Sequence, residues 1–191
     1  MRKVPADIAG KLVTATEQLS ANFEDLRMDD IARASGVPRA TLYYHFSGKN
    51  EVLAFLHQAL LEEFRANVRA PEEGDARSRL TELISRQLTH IAAHPAVTQL
   101  LILNLGRLGK FSELASSPSH PIVEPFHQIL TDGVARGELR DIDVDAVAIA
   151  LSDAVHNIGL RSVVSGQLDD AQALAGRFVD VLWHGIGSPD S

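Results

Sequence analysis

Arg39, Ala40, Thr41, Tyr43, Tyr44 and His45 fall in one short run, with Lys49 close behind. Those residue types suit recognition of a duplex rather than bond making. A guanidinium can take the O6 and N7 edge of guanine as a bidentate pair, and the methyl groups of threonine and alanine fit thymine methyls. Tyrosine hydroxyls more often meet phosphate oxygens, which fix register without reading sequence. The competing expectation for Tyr43 or Tyr44 is a packing role. Lys49, at the opening of a further helix, is expected to take a phosphate together with that helix's N-terminus.

The elements that must position this set are written into Met28–Phe55. Met28 and Ile31 are apolar anchors of a first short helix, and Ala32 lets a neighbour cross closely. Gly36 can take the left-handed conformation a tight turn needs. Pro38 cannot continue the first helix but suits the opening of the next. Leu42 and Phe46 form the buried edge of the second helix, which leaves the duplex-reading residues mostly on the outward face. The layout is a helix-turn-helix, with its second helix built to enter a major groove.

The run Ile31-Ala32, Ala34-Ser35-Gly36-Val37, Thr41-Leu42-Tyr43, Tyr44, His45-Phe46 and Lys49 resembles the DNA-binding segment of the TetR family of bacterial transcriptional regulators. The likeness covers the first quarter to third of the chain; Arg136-Gly137-Glu138-Leu139-Arg140 is a weaker second point of similarity. Two positions depart from the family pattern. Asn22 stands where Gly is usual, a mild change. Arg27 stands where the family commonly has a capping Thr; Arg27 cannot cap through an acceptor oxygen but could reach the phosphate itself. The resemblance implies a DNA-binding unit over residues 1–48 and a helical effector and dimerisation domain over 49–191. It also implies a regulator, most often a repressor, that a small molecule releases from DNA.

Charge agrees in its distribution rather than its sum. The 191 residues carry a net charge of −7, but from Ile31 to Asn50 there is no acid, only Arg33, Arg39, Lys49 and the titratable His45. A basic, acid-free surface on an acidic protein suits phosphate contact while limiting non-specific binding. This counts against the alternative, a small-molecule-binding helical protein using the helix-turn-helix as a protein contact.

Catalysis finds no support. With no cysteine there is no disulfide, thiolate metal site or cysteine nucleophile. Gly106-Arg107-Leu108-Gly109-Lys110 is too short for a phosphate-binding loop, and no Gly-x-Ser-x-Gly elbow occurs. His90 and His94 have the spacing of two metal ligands on one helix, but no third is specified and no Glu lies between them. No metal and no cofactor are therefore expected. Met1–Asp7 begins basic without an apolar stretch behind it, and no run approaches a membrane span, so a cytoplasmic location is expected.

Apolar periodicity predicts an all-α chain of about nine helices, with no strand alternation. The expected spans are about 5–21, 28–35, a reading helix near 39–46, 48–70, 75–94, 97–108, 121–136, 144–164 and 171–184, with a loop over 106–121. In the helix from Val144, Val147, Leu151, Val155 and Ile158 make one apolar face and Ala146, Ala150 and Ala154 a second, smooth one. A helix apolar on two faces has two neighbours. The last two helices are accordingly expected to build a homodimer that presents two readers to a near-palindromic operator. Polar residues on otherwise apolar helices (His90, Asn104, Arg107, His127, Gln128, His156, Asn157 and Arg161) are candidates for an effector pocket. The competing expectation is that they face solvent or bond one another.

Overall fold

A computed structural model of the chain describes residues 3–19, 25–96, 98, 117, 119–165 and 170–184. Among these the architecture is all-α, eight α-helices and one 3-10 turn without a strand. Most of the helix expected over 97–108, most of the loop over 106–121, and the positions Asn22 and Phe23 lie outside the described residues. Two compact units are present: Met1–Phe64 with His94–Phe111, and Arg65–Ala93 with Ser112–Ser191.

In the first unit α1 spans Ala6–Ala15 and passes into a 3-10 turn at Thr16–Gln18, where a single helix to Ala21 was expected. The Thr16 hydroxyl, fully buried, donates back to the Leu12 carbonyl at 3.3 Å. The Leu19 amide then bonds to both Ala15 and Thr16 carbonyls, tightening the chain. Next come α2 (Met28–Ser35), α3 (Arg39–His45) and α4 (Lys49–Asn67). With only seven residues, α3 is far below the roughly 12–15 needed for a helix to stand alone. It exists because Leu42 and the following Phe46 are buried, each burial worth roughly 1.5–3 kcal/mol. Phe46 packs on Phe55 of α4 with ring centroids 5.5 Å apart.

The second unit is arranged around α5 (Ala76–Ala93), against which α6 (Glu124–Ala135), α7 (Val144–Ser165) and α8 (Ala171–His184) pack. Leu80, Leu83, Ile84, Leu88 and Ile91 of α5 are all buried. The end of α6 lies at the start of α5, where Arg79 bonds Asp132 at 2.9 Å, so these helices run antiparallel. The end of α8 reaches the same region, Arg77 bonding Asp180 at 2.7 Å. On α7, Gly159 is the point of closest approach: a Cβ there would stand 2.7 Å from Ile91 Cδ1. The helix expected from Pro121 begins instead at Glu124, because residues 121–123 form a turn first.

The connection after α6 also closes α5. Gly137, at φ 71°, ends α6, and Glu138 Oε2 accepts the Ala76 amide at 2.6 Å. Asp75 accepts the Ser78 amide at 2.8 Å, and that bond holds the Asp75 carboxyl below its ordinary value. Two carboxylates thus satisfy donors that the start of any helix leaves open. Arg79 is 2% exposed despite its charge; its Nε donates to the Pro71 carbonyl at 2.7 Å.

Candidate nucleic-acid interface

The turn of the helix-turn-helix is fixed by Ser35 and Gly36. Ser35 Oγ donates to the Ile31 carbonyl at 2.6 Å and accepts the Val37 amide at 3.3 Å. Gly36 adopts φ 66°, the left-handed value that a Cβ disfavours. Val37 is buried and Pro38 opens α3. At the other end of α2, Arg27 occupies the N-cap without an acceptor to offer. Asp30 serves in its place, its carboxylate accepting the Arg27 amide at 3.0 Å. The same device opens α4, where Glu51 Oε2 accepts the Ser47 amide at 2.6 Å. That backbone bond holds the Glu51 carboxyl below its ordinary value.

The turn leaves Arg39, Ala40, Tyr43 and Tyr44 exposed and Thr41 and His45 half-buried. Tyr43 and Tyr44 are 47% and 62% exposed, large aromatic surfaces on a helix that buries only Leu42. Arg39 lies over the Tyr43 ring at 5.4 Å and pairs with Asp29 of α2 at 2.8 Å. His45 stands edge-on to Tyr44, ring centroids 5.0 Å apart, and its Nδ1 is buried without a partner. Lys49 is half-buried at the first position of α4, and Arg27 is exposed at the head of α2. Asp29 and Asp30 were not anticipated as members of this surface. The pairing of Asp29 with Arg39 spans the turn and leaves no periodic trace in the sequence.

The residues singled out for an effector are distributed differently. His127 Nε2 lies 2.9 Å from Asp145 Oδ1. Gln128, Asn157 and Arg161 are exposed, and Asn157 Nδ2 donates to the Asp153 carbonyl at 2.9 Å. His90 and His156 are half-buried, and burial lowers the His156 imidazole from its ordinary value. Asn104 and Arg107 lie outside the described residues. His94 of the spaced pair sits 3.7 Å from Glu17. Among the described residues no three of His, Asp and Glu converge as a metal site would require.

Two features of the second unit had no sequence signal. Gln87 of α5 is fully buried, and neither atom of its carboxamide has a hydrogen-bond partner. A cavity of about 380 Å³ is walled mainly by Leu80, Leu130, Leu139, Val147, Leu151 and Trp183. None of the six described effector candidates lines it.

Two short helices locked around Gly36, with an outward face of Arg39, Thr41, Tyr43 and Tyr44, define a helix-turn-helix DNA-binding protein. The sequence profile described as bacterial regulatory proteins of the TetR family matches residues 12–55. Residues 12–55 thus carry the DNA-binding segment of the TetR family of transcriptional regulators. The chain is 25% identical over 181 residues to the fatty acid metabolism regulator protein of Bacillus subtilis, covering 90% of this chain and 91% of that one. The fold is shared with the fatty acid degradation regulator FadR of Bacillus halodurans, at a TM-score of 0.80 and 21% identity over 97% of this chain and 98% of the other. It is shared also with Bacillus subtilis FadR, solved in complex with stearoyl-CoA, at a TM-score of 0.71 and 20% identity over 95% and 98%. Among the described residues no helix is long and apolar enough to cross a membrane.

Proposed function

We propose that this protein is a ligand-responsive repressor that binds a near-palindromic operator as a homodimer in the cytoplasm and is released by a small molecule with an acyl chain. The observation that carries the DNA reading is the outward face of α3, where Arg39, Tyr43 and Tyr44 project from a helix anchored by a single buried leucine. In this reading Arg39, Ala40 and Thr41 meet base edges, while Arg27, Tyr43, Tyr44, His45 and Lys49 hold the phosphates.

The dimer reading is supported by α7 and α8. Ala146 and Ala150 are exposed in the single chain, as is Val181 at 46%. Such an apolar surface is suited to a second copy, whose twofold axis would set two readers about one helical turn apart. The effector reading is supported by the orphaned Gln87 carboxamide, since a buried polar group without a partner costs about 1–3 kcal/mol that a ligand could relieve. The class of effector is carried over from the fatty acid regulators to which the chain is similar. Release requires that the ligand bind the two arrangements of the dimer unequally.

Selection of binding sites from random duplex DNA at physiological salt tests this function. Enrichment of an inverted repeat is the expected result, and an acyl-CoA should then weaken binding to the selected site. A folded protein that enriches no sequence, or that sediments as a monomer at micromolar concentration, would overturn the reading.

A further inference from the structure

The cavity of the second unit is lined by none of the six described effector candidates that the sequence offered. Its apolar walls come from α5 (Leu80), α6 (Leu130), the connection after α6 (Leu139, Ile142), α7 (Val147, Leu151) and α8 (Leu182, Trp183). About 380 Å³ falls at the small end of the roughly 300–1,000 Å³ of ligand sites. Only two charged residues line it, Glu138 and Arg140. Glu138 is already committed, its Oε2 accepting the Ala76 amide at 2.6 Å and its Oε1 lying 4.0 Å from Arg136. Arg140 pairs with no carboxylate among the described residues and is exposed. Trp183 is steadied from another side by Arg77, whose guanidinium lies 6.0 Å from the ring and is itself paired with Asp180.

From this juxtaposition we infer that the cavity binds a medium-chain fatty carboxylate, with the alkyl chain among Leu80, Leu130, Leu151 and Trp183 and the carboxylate on Arg140. A planar guanidinium takes a carboxylate through two parallel hydrogen bonds, which a neutral head group cannot match. The walls favour an unbranched chain without further polar groups, because most of the side chains lining the space are apolar. The inference deepens the reading of the second unit as the ligand-binding part of the regulator. It does not depend on DNA binding.

Trp183 is the only tryptophan of the chain, so its emission reports on this cavity directly. Decanoate titrated into the full-length protein without DNA should give a saturable change in that emission, with matching heat in calorimetry. Decyltrimethylammonium should give none, and decanol should bind about tenfold more weakly, the loss expected for a missing charge-assisted pair. Arg140→Gln, at an exposed position, should weaken decanoate about tenfold, and Arg140→Lys should weaken it less, keeping the charge but losing the second parallel bond. Val147→Phe should block binding by filling the space, with circular dichroism confirming the fold. No saturable change, equal binding of the ammonium analogue, or an unaltered affinity in Arg140→Gln would each overturn the proposal. An emission that follows protein dilution rather than decanoate would also overturn it, because a second copy would then cover the cavity. Binding of decanoate by a protein that selects no operator would leave this site standing and remove the regulatory reading alone.

Discussion

Arg39 and Asp29 face each other at 2.8 Å across the turn of the DNA reader, and the same guanidinium rests 5.4 Å from the Tyr43 ring. Both partners are more than half exposed, so water and salt screen the pair and it adds little to stability. If Arg39 meets DNA as proposed, the pair holds the guanidinium in place beforehand and is exchanged for a base or phosphate on binding. Asp29→Asn releases Arg39 and removes a negative charge from the phosphate-facing side. Affinity for a duplex should rise about fivefold, with most of the gain lost at high salt. Fluorescence anisotropy at two salt concentrations measures it.

Arg39→Ala separates the two chemistries open to this residue. If it reads a base, binding to the selected operator falls by about 1–3 kcal/mol and discrimination relaxes at one position in each half-site. Equal losses on all sequences, with a shallower salt dependence, would make Arg39 a phosphate contact.

Ala150→Glu on the exposed face of α7 should shift the protein towards monomer at micromolar concentration. Because Ala150 is exposed in the single chain, far-UV circular dichroism should be unchanged while operator affinity collapses. A fully dimeric variant with normal binding would place the interface elsewhere.

Gly159→Ala sets two effects against each other. Alanine gains roughly 1 kcal/mol of helix propensity over glycine. The new methyl would stand 2.7 and 2.9 Å from Ile91 Cδ1 and Cγ2, with Ile91 buried and unable to swing away freely. Overpacking typically costs about 1–3 kcal/mol, so the net is a loss of about 1 kcal/mol. Paired with Ile91→Val, which withdraws Cδ1, the substitution should cost less than it does alone. Urea unfolding of the single and double variants gives the comparison.

Burial lowers the imidazoles of His57 and His156 below their ordinary value of 6.5. A depressed folded pKa means that the unfolded chain binds the proton more readily. The stability from the neutral rings is therefore complete above pH 6.5 and is lost as pH falls through the folded values. Urea midpoints should drop between pH 7.5 and 5, and His57→Leu should flatten that slope. The carboxylates of Glu51 and Asp75, held below their ordinary values by backbone amides of Ser47 and Ser78, would act only at lower pH.

The helix-turn-helix was legible because everything that makes it is local: Gly36, Pro38 and the buried Leu42 and Phe46 lie within eleven positions of one another. The last helix, expected at 171–184, is found at Ala171–His184 for the same reason. Depth was not legible. Gln87 and Gln128 are the same residue on amphipathic helices, yet one is fully buried and the other exposed. Arg79 reads as a surface residue and is 2% exposed, because Asp132 and the Pro71 carbonyl meet it from distant parts of the chain. The cavity beside Trp183 draws on four helices and a connection, a convergence that no window of sequence contains.

Helix α2 is opened by Asp30 and not by the residue at its N-cap. Any residue with a backbone N–H at position 27 supplies what Asp30 needs, so only proline is barred there by the capping bond. The side chain at that position is thereby released from holding the fold. Such a site can drift among residue types at little risk to the structure, so that in the proposed regulator the grip on phosphate could be retuned there without disturbing the fold.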